Sequence, residues 1–303
     1  MQLPLLPSHA VASVFLVLLS TATQTYAGNY FHGVTAANSA PNSGAYRCRT
    51  QGEWNDLAHT AKSNGFSSIR VLGFDCNALE FASSAAAGAG INVLAGIFFS
   101  GSVAGSSGQI DNEVQAFRAA VGKYGVGRYD GLTIGNEATD NPGAIASKVS
   151  SVKGYLRSVG INTPVSTVHT WVAVRDNPQA FCSGDFVGAN AHAFFDQNVV
   201  GSQAGSFVYN TVVPSLRKAC PNKPIMVTES GWPSRGASMG RAAASSGEQY
   251  AAMKSLNCAA KNDKSVVIYA FEADDQTWKG NDNERSFGLF GKVKFEGGIN
   301  NAC

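Results

Sequence analysis

Short apolar runs rich in β-branched and aromatic residues recur eight times along the chain, over 31–37, 68–74, 92–99, 132–138, 165–171, 186–194, 225–232 and 266–273. Runs of this length, bounded by turn-forming residues, predict strands. Between them the spacing predicts helices over 53–63, 111–124, 144–159, 208–218 and 247–261, while the Gly/Ser-rich stretch 100–108 reads as a loop. The link after the fifth run carries the weakest helical signal. Eight strands alternating with helices, with no linker and no shift in composition, predict an α/β fold: a single (β/α)8 TIM barrel in preference to an open sheet.

The start of the chain stands apart from this rhythm. An apolar run over 11–19 is followed by small polar residues and Thr25-Tyr26-Ala27, the pattern of a signal peptide, although no Lys or Arg precedes the run. Cleavage is expected after Ala27, leaving 28–303 as the catalytic domain. The run falls short of the roughly 20 apolar residues that span a bilayer, and the polar C-terminus lacks the tail of a lipid-anchor signal. The expectation is a protein that is secreted, extracellular or cell-wall associated, without a membrane partner. Six cysteines, at 48, 76, 182, 220, 258 and 303, fit an oxidising compartment, and their pairing is left open among 15 possibilities. With no C-x-x-C and no His-rich spacing, disulfides are preferred to a metal site, and neither a metal nor a cofactor is expected.

Charge narrows the partner. Charged residues make up 15% of the chain and the net charge is +2, with no cluster of Lys and Arg to bind nucleic acid. A surface built largely from Ser, Asn, Thr, Gln and Gly suits a neutral ligand.

In a barrel of this kind the active site lies at the C-terminal ends of the strands. The fourth run ends Thr-Ile-Gly-Asn136-Glu137 and the seventh ends Val-Thr228-Glu229-Ser-Gly-Trp232. Each would bring one carboxylate to the same rim, where burial is costly unless the group is paired. Solvated strand-end glutamates are the plain alternative for either alone. Together they suit glycoside hydrolysis, in which one carboxyl protonates the leaving oxygen and the other attacks the anomeric carbon, the two standing about 5 to 5.5 Å apart in retaining enzymes. Arg70, on the second strand, would keep Glu229 ionised or serve as an ordinary structural partner.

The segment Val227-Thr-Glu229-Ser-Gly-Trp-Pro-Ser234 closely resembles the nucleophile motif of family 17 glycoside hydrolases, and Gly135-Asn-Glu137-Ala resembles their acid/base motif. Further matches run from Cys48-Arg-Thr-Gln through Ile69-Arg-Val-Leu-Gly-Phe-Asp-Cys76, Asn190-Ala-His-Ala-Phe-Phe-Asp196 and Tyr269-Ala-Phe-Glu272 to Phe287-Gly-Leu-Phe290. The likeness is greatest to the fungal cell-wall branch, which contains endo-1,3-β-glucanases and 1,3-β-glucanosyltransferases. It implies a (β/α)8 barrel, retention of configuration, and β-1,3-glucan or laminari-oligosaccharides as substrate. By motif position Glu137 becomes acid/base, Glu229 nucleophile and Asn136 a hydrogen-bond donor to the sugar. His192, Phe195, Trp232, Glu272, Asp275, Trp278 and Lys279 become candidates for sugar contact. Trp232 is read as an exposed indole stacking on sugar, with a buried rim residue as the alternative; Glu272 and Lys279 are equally well read as a structural ion pair. Leu72, Asp274 and Gln276 depart from the residues common at those positions, which leaves the sugar-binding details open.

The functional expectation is a retaining hydrolase cleaving internal β-1,3-glucosidic bonds, acting as a monomer. A glucanosyltransferase that remodels wall glucan shares every catalytic residue, a weakly active glucan-binding wall protein is the rival from another class, and a starch- or cellulose-type hydrolase would share fold and pair.

Overall fold

The computed structural model describes residues 28–41 and 43–303, so the leader read into residues 1–27 lies outside the described residues. Eight parallel strands close into a barrel in chain order: β1 (Gly33–Ala36), β2 (Ser68–Val71), β3 (Asn92–Ile97), β4 (Tyr129–Asn136), β5 (Val165–Thr170), β6 (Val187–Asn190), β7 (Ile225–Gly231) and β8 (Val266–Phe271), with β8 pairing back on β1. Each overlaps one of the eight apolar runs, β4 starting at Tyr129, ahead of the run 132–138. Around them lie α1 (Gln51–Ser63), α2 (Ala78–Ala89), α3 (Ser107–Tyr124), α4 (Pro142–Ser158), α5 (Trp171–Asp176), α6 (Pro178–Phe181), α7 (Ala204–Phe207), α8 (Val213–Ala219) and α9 (Ser246–Asn262).

Local chemistry sets the helix starts. Thr50 and Glu53 form a reciprocal capping box on α1, Asn141 caps α4 ahead of Pro142, and the Ser245 hydroxyl accepts from the Glu248 amide at the start of α9. Helix α2 is missing from the sequence reading because Leu-Glu-Phe-Ala-Ser-Ser-Ala-Ala-Ala-Gly-Ala offers little contrast between faces; its alanines form helix by propensity and pack closely. Helix α3 begins at Ser107, at the end of the stretch expected to be loop. The weak link after the fifth strand is two short helices, α5 and α6. The helix expected over 208–218 is observed as α7, a wide π turn (Val208–Val212) and α8 in direct succession, with helical dihedrals kept at the junctions, and Pro214, which has no N–H to give to the preceding turn, sits just past the π turn.

Period-2 alternation sorts the side chains. Ile69 and Val71 of β2 join the large apolar core between barrel and helices, while Ser68 and Arg70 face the barrel interior. Inside, a small apolar plug of Leu94, Phe186, Met226 and Tyr269 fills the lower barrel. Gly33 makes room for it: a Cβ there would stand 2.4 Å from the Tyr269 ring. Above the plug the interior becomes polar, and that change of character places the site.

The cysteines pair as Cys48–Cys76, Cys182–Cys220 and Cys258–Cys303. Cys182–Cys220 ties the segment after α6 to the end of α8 across 38 residues. By the loop-entropy argument, a Cys182→Ser, Cys220→Ser double variant should lose about 4 kcal/mol of unfolding free energy, measured by denaturant titration beside the parent.

Candidate active site

Glu137 stands one residue beyond β4. The strand shifts register between Thr133 and Asn136, Gly135 takes a left-handed φ of 82°, and Glu137 itself sits at φ 51° with its amide donating to the Val168 carbonyl at 2.9 Å. A side chain at Gly135 would be strained by that φ and would also press on the Phe99 ring at 3.1 Å. Glu229 lies within β7, where a register shift between Val227 and Ser230 lets the consecutive Thr228 and Glu229 both reach interior partners.

One hydrogen-bonded chain joins the two carboxylates. Arg70, buried on β2, donates from Nη1 to Glu229 Oε1 and from Nη2 to Asn136 Oδ1 at 2.8 Å. Asn190, at the end of β6, donates to the same Asn136 oxygen at 3.2 Å and to Glu137 Oε1 at 2.9 Å, and its own oxygen accepts from the Thr228 hydroxyl at 2.8 Å. His192 Nε2 lies 3.3 Å from Glu229 Oε2. Asn136 spends its oxygen on Arg70 and Asn190, leaving its amide hydrogens to donate elsewhere.

The carboxylates sit in opposite surroundings. Glu229 is 6% exposed and Glu137 is exposed. Burial alone would raise the Glu229 carboxyl, but the Arg70 charge and the His192 contact outweigh it and bring the group down to about 2. Glu229 is therefore an anion at any ordinary pH. Close by, burial raises the carboxyl of Glu272 to about 7, against the opposing ion pair from Lys279 at 2.9 Å and with the Glu229 charge adding to the rise.

Both glutamates open onto a trough of about 730 Å³, the size of a cleft that holds several small rings. It runs over the ends of β5, β6 and β7, where Trp171, Phe195, Phe207 and Met239 supply apolar wall beside His192 and Asn190. Phe195 is 49% exposed and offers a ring face to whatever enters.

The remaining predicted residues divide. Trp232 overturns its stacking assignment: it is fully buried, its indole N–H donates to the Ala243 carbonyl at 2.8 Å, and its ring meets Phe194 edge-on. Lying just past β7, it turns outward into the strand–helix core, where the indole finds both apolar packing and an acceptor. Glu272 is 1% exposed and held to Lys279 in the ion pair that was the structural alternative. Asp275 accepts from the Gly288 amide at 2.9 Å and from Lys292 at 2.6 Å, fastening the segment after β8. Trp278 is exposed on the same rim but does not line the trough. Asn190, Trp171, Phe207 and Met239 were not singled out as site residues. Trp171 ends the predicted run 165–171, the kind of position that drew attention to the glutamates, but Asn190 lies in the middle of the predicted run 186–194 and only the observed β6 stops at it, while Phe207 closes the short helix α7 and Met239 arrives from the loop after β7, neither with such a marker.

A profile of the BtgE/BtgC glycoside hydrolase domain matches residues 35–289. The probable beta-glucosidase btgE of Aspergillus terreus is 30% identical over 246 residues, covering 79% of this chain and 42% of that protein. The chain thus spans less than half the length of that relative. The probable family 17 glucosidase SCW4 of Saccharomyces cerevisiae is 28% identical over 280 residues, covering 90% and 67%. Among solved structures, the glycoside hydrolase family 17 beta-1,3-glucanosyltransferase of Rhizomucor miehei shares the fold with a TM-score of 0.74 at 21% identity, covering 88% of this chain and 97% of that one, and its active-site mutant has been solved in complex with laminaritriose.

Proposed function

The chain belongs to the BtgE/BtgC glycoside hydrolase family, and we propose that it cleaves internal β-1,3-glucosidic bonds of cell-wall-type glucan with retention, through Glu229 as nucleophile and Glu137 as acid/base. The observation that carries this reading is the Arg70–Asn136–Asn190 chain of hydrogen bonds between a buried, ionised carboxylate and an exposed one at the mouth of a single trough. Glu229, held as an anion, attacks the anomeric carbon and forms a glycosyl ester. Glu137, in contact with solvent, gives a proton to the departing oxygen and then takes one from the incoming acceptor. His192 and Arg70 steady the nucleophile, and Asn136 presents its amide hydrogens to the reacting sugar. The laminaritriose complex of the Rhizomucor enzyme supports the choice of β-1,3-linked substrate.

Transfer to a second glucan chain is the other reading, and the apolar wall favours it. The acid side of the bond, where the leaving group departs and the acceptor arrives, lies over β4 to β6. There Trp171, Phe195 and Phe207 give a sugar acceptor rings to stack on, which lets it compete with water. Three disulfides support a secreted protein, and no helix among the described residues is long and apolar enough to cross a membrane.

A β-1,3-gluco-oligosaccharide labelled at its reducing end separates the outcomes. Products only shorter than the substrate are the result of hydrolysis; products both shorter and longer are the result of transfer. No products of either kind from the wild-type protein would overturn the proposed substrate.

A further inference from the structure

Among the described residues, six of the eight exposed large apolar side chains, Tyr46, Phe98, Val172, Phe195, Met239 and Trp278, lie in segments that follow strands, on the rim that carries the two glutamates. Scattered exposed apolar groups need no explanation, but their concentration on one face does. Val172, Phe195 and Met239 belong to the trough. Tyr46 and Trp278 do not, and they are in contact with each other, ring centroids 4.9 Å apart and planes at 85°.

Their place on the rim follows from the barrel order. Tyr46 comes from the segment between β1 and α1 and Trp278 from the segment after β8, while Asp75, the partner of the Tyr46 hydroxyl, follows β2. Strands β8, β1 and β2 are neighbours in the closed barrel and lie across it from β4, β5 and β6. Since Glu137 on the β4 side protonates the leaving group, the sugars upstream of the cleaved bond extend the other way, over β8, β1 and β2.

The pair is also held rigid at its polar ends, which leaves ring surface outward. The Tyr46 hydroxyl donates to Asp75, whose other oxygen accepts from Asn38 at 2.6 Å; the Trp278 indole donates to Gln276 Oε1 at 2.9 Å. Three ties fix the supporting segments to one another: the Cys48–Cys76 disulfide, the Arg49–Asp274 ion pair at 2.7 Å, and the Gly44 amide on the Thr277 hydroxyl at 3.1 Å. Even so, Tyr46 remains 46% exposed and Trp278 38%. Aromatic rings fixed in advance, with apolar faces in water, match the C–H faces of glucose and bind them without a further ordering cost.

We propose that Tyr46 and Trp278 form a second sugar platform on the donor side of the rim, which stacks a glucosyl unit of the β-glucan chain lying upstream of the trough. The platform rests on the glucan reading above, and it makes chain length the quantity that the site measures.

Binding in the Glu229→Gln background, by titration calorimetry with laminaritriose and laminarihexaose, tests it without turnover. Adding Tyr46→Ala or Trp278→Ala should weaken laminarihexaose by about tenfold, the size expected for one lost stack, and leave laminaritriose unchanged. Trp278→Tyr, which keeps a ring, should restore most of the affinity and guards against misfolding of the alanine variants. If laminarihexaose binds the alanine variants as tightly as it binds their parent, the platform is wrong. Turnover of the wild-type protein is scored separately: cleavage with platform-independent binding removes the platform alone, whereas platform-dependent binding without cleavage supports the platform and removes the hydrolase reading. Failure of both oligosaccharides to bind overturns both.

Discussion

Glu229→Gln should lower turnover by at least about 10⁴-fold, the scale of losing a covalent nucleophile, while glucan binding and the unfolding transition remain. The amide has nearly the same volume and keeps a hydrogen-bond acceptor toward Arg70, so the packing around the 6% exposed site survives. What disappears is the anion that forms the glycosyl ester. Added azide distinguishes the two glutamates. In Glu229→Ala it enters from the vacated face and yields the α-glycosyl azide by a single inversion; in Glu137→Ala it intercepts the glycosyl enzyme and yields the β-anomer. Unaltered turnover in Glu229→Gln, or exchange of the two azide products, would sink the assignment.

Arg70→Met should cut kcat/KM by roughly 10²- to 10³-fold, the loss seen when a fixed electrostatic partner leaves an active site, and should move the acidic limb of its pH profile upward. Burial pushes the Glu229 carboxyl up from 4.5, and the Arg70 charge is the largest of the opposing effects that bring it to about 2. Without that charge the carboxyl rises and the active anion is lost at a higher pH. Stability follows with a defined sign. A carboxyl depressed in the folded state adds stability that is fully present above its unfolded value of 4.5 and is lost as pH falls through about 2. At neutral pH the variant keeps a buried carboxylate with its main partner gone, which costs about 3 to 5 kcal/mol. The deficit relative to wild type should shrink as the pH is lowered. Arg70→Lys keeps the charge but not the reach to both Glu229 and Asn136, and should fall between the two. A pH profile of Arg70→Met that coincides with wild type would remove Arg70 from the account.

Much of the barrel could be read directly because its strands are buried on both faces, which concentrates apolar residues into short runs that punctuate the chain. The same logic exposed the glutamates, since a carboxylate at the end of such a run stands out against its neighbours. Arg70 was visible for the same reason, as a lone charge inside the second run. Where two environments demand the same residue type, sequence could not decide. Trp232 suits a sugar platform as well as a core, and only the position of the Ala243 carbonyl settles it in the core. Trp171 was seen as the end of a strand but not as a wall, because its contribution depends on the turn into α5. The π turn between α7 and α8 depends on how that segment fits beside α9, which no local pattern records.

The disulfide map has a consequence for how the chain acquires its covalent form. Each cysteine is joined to the one that follows it: 48 to 76, 182 to 220, 258 to 303. No bridge encloses or interleaves with another. A chain made from its N-terminus can therefore seal every loop as soon as the second thiol of that loop appears, with no earlier bond to be undone and no thiol kept waiting past its immediate successor. Pairing by order of emergence is the correct pairing, so oxidation needs speed more than it needs reshuffling.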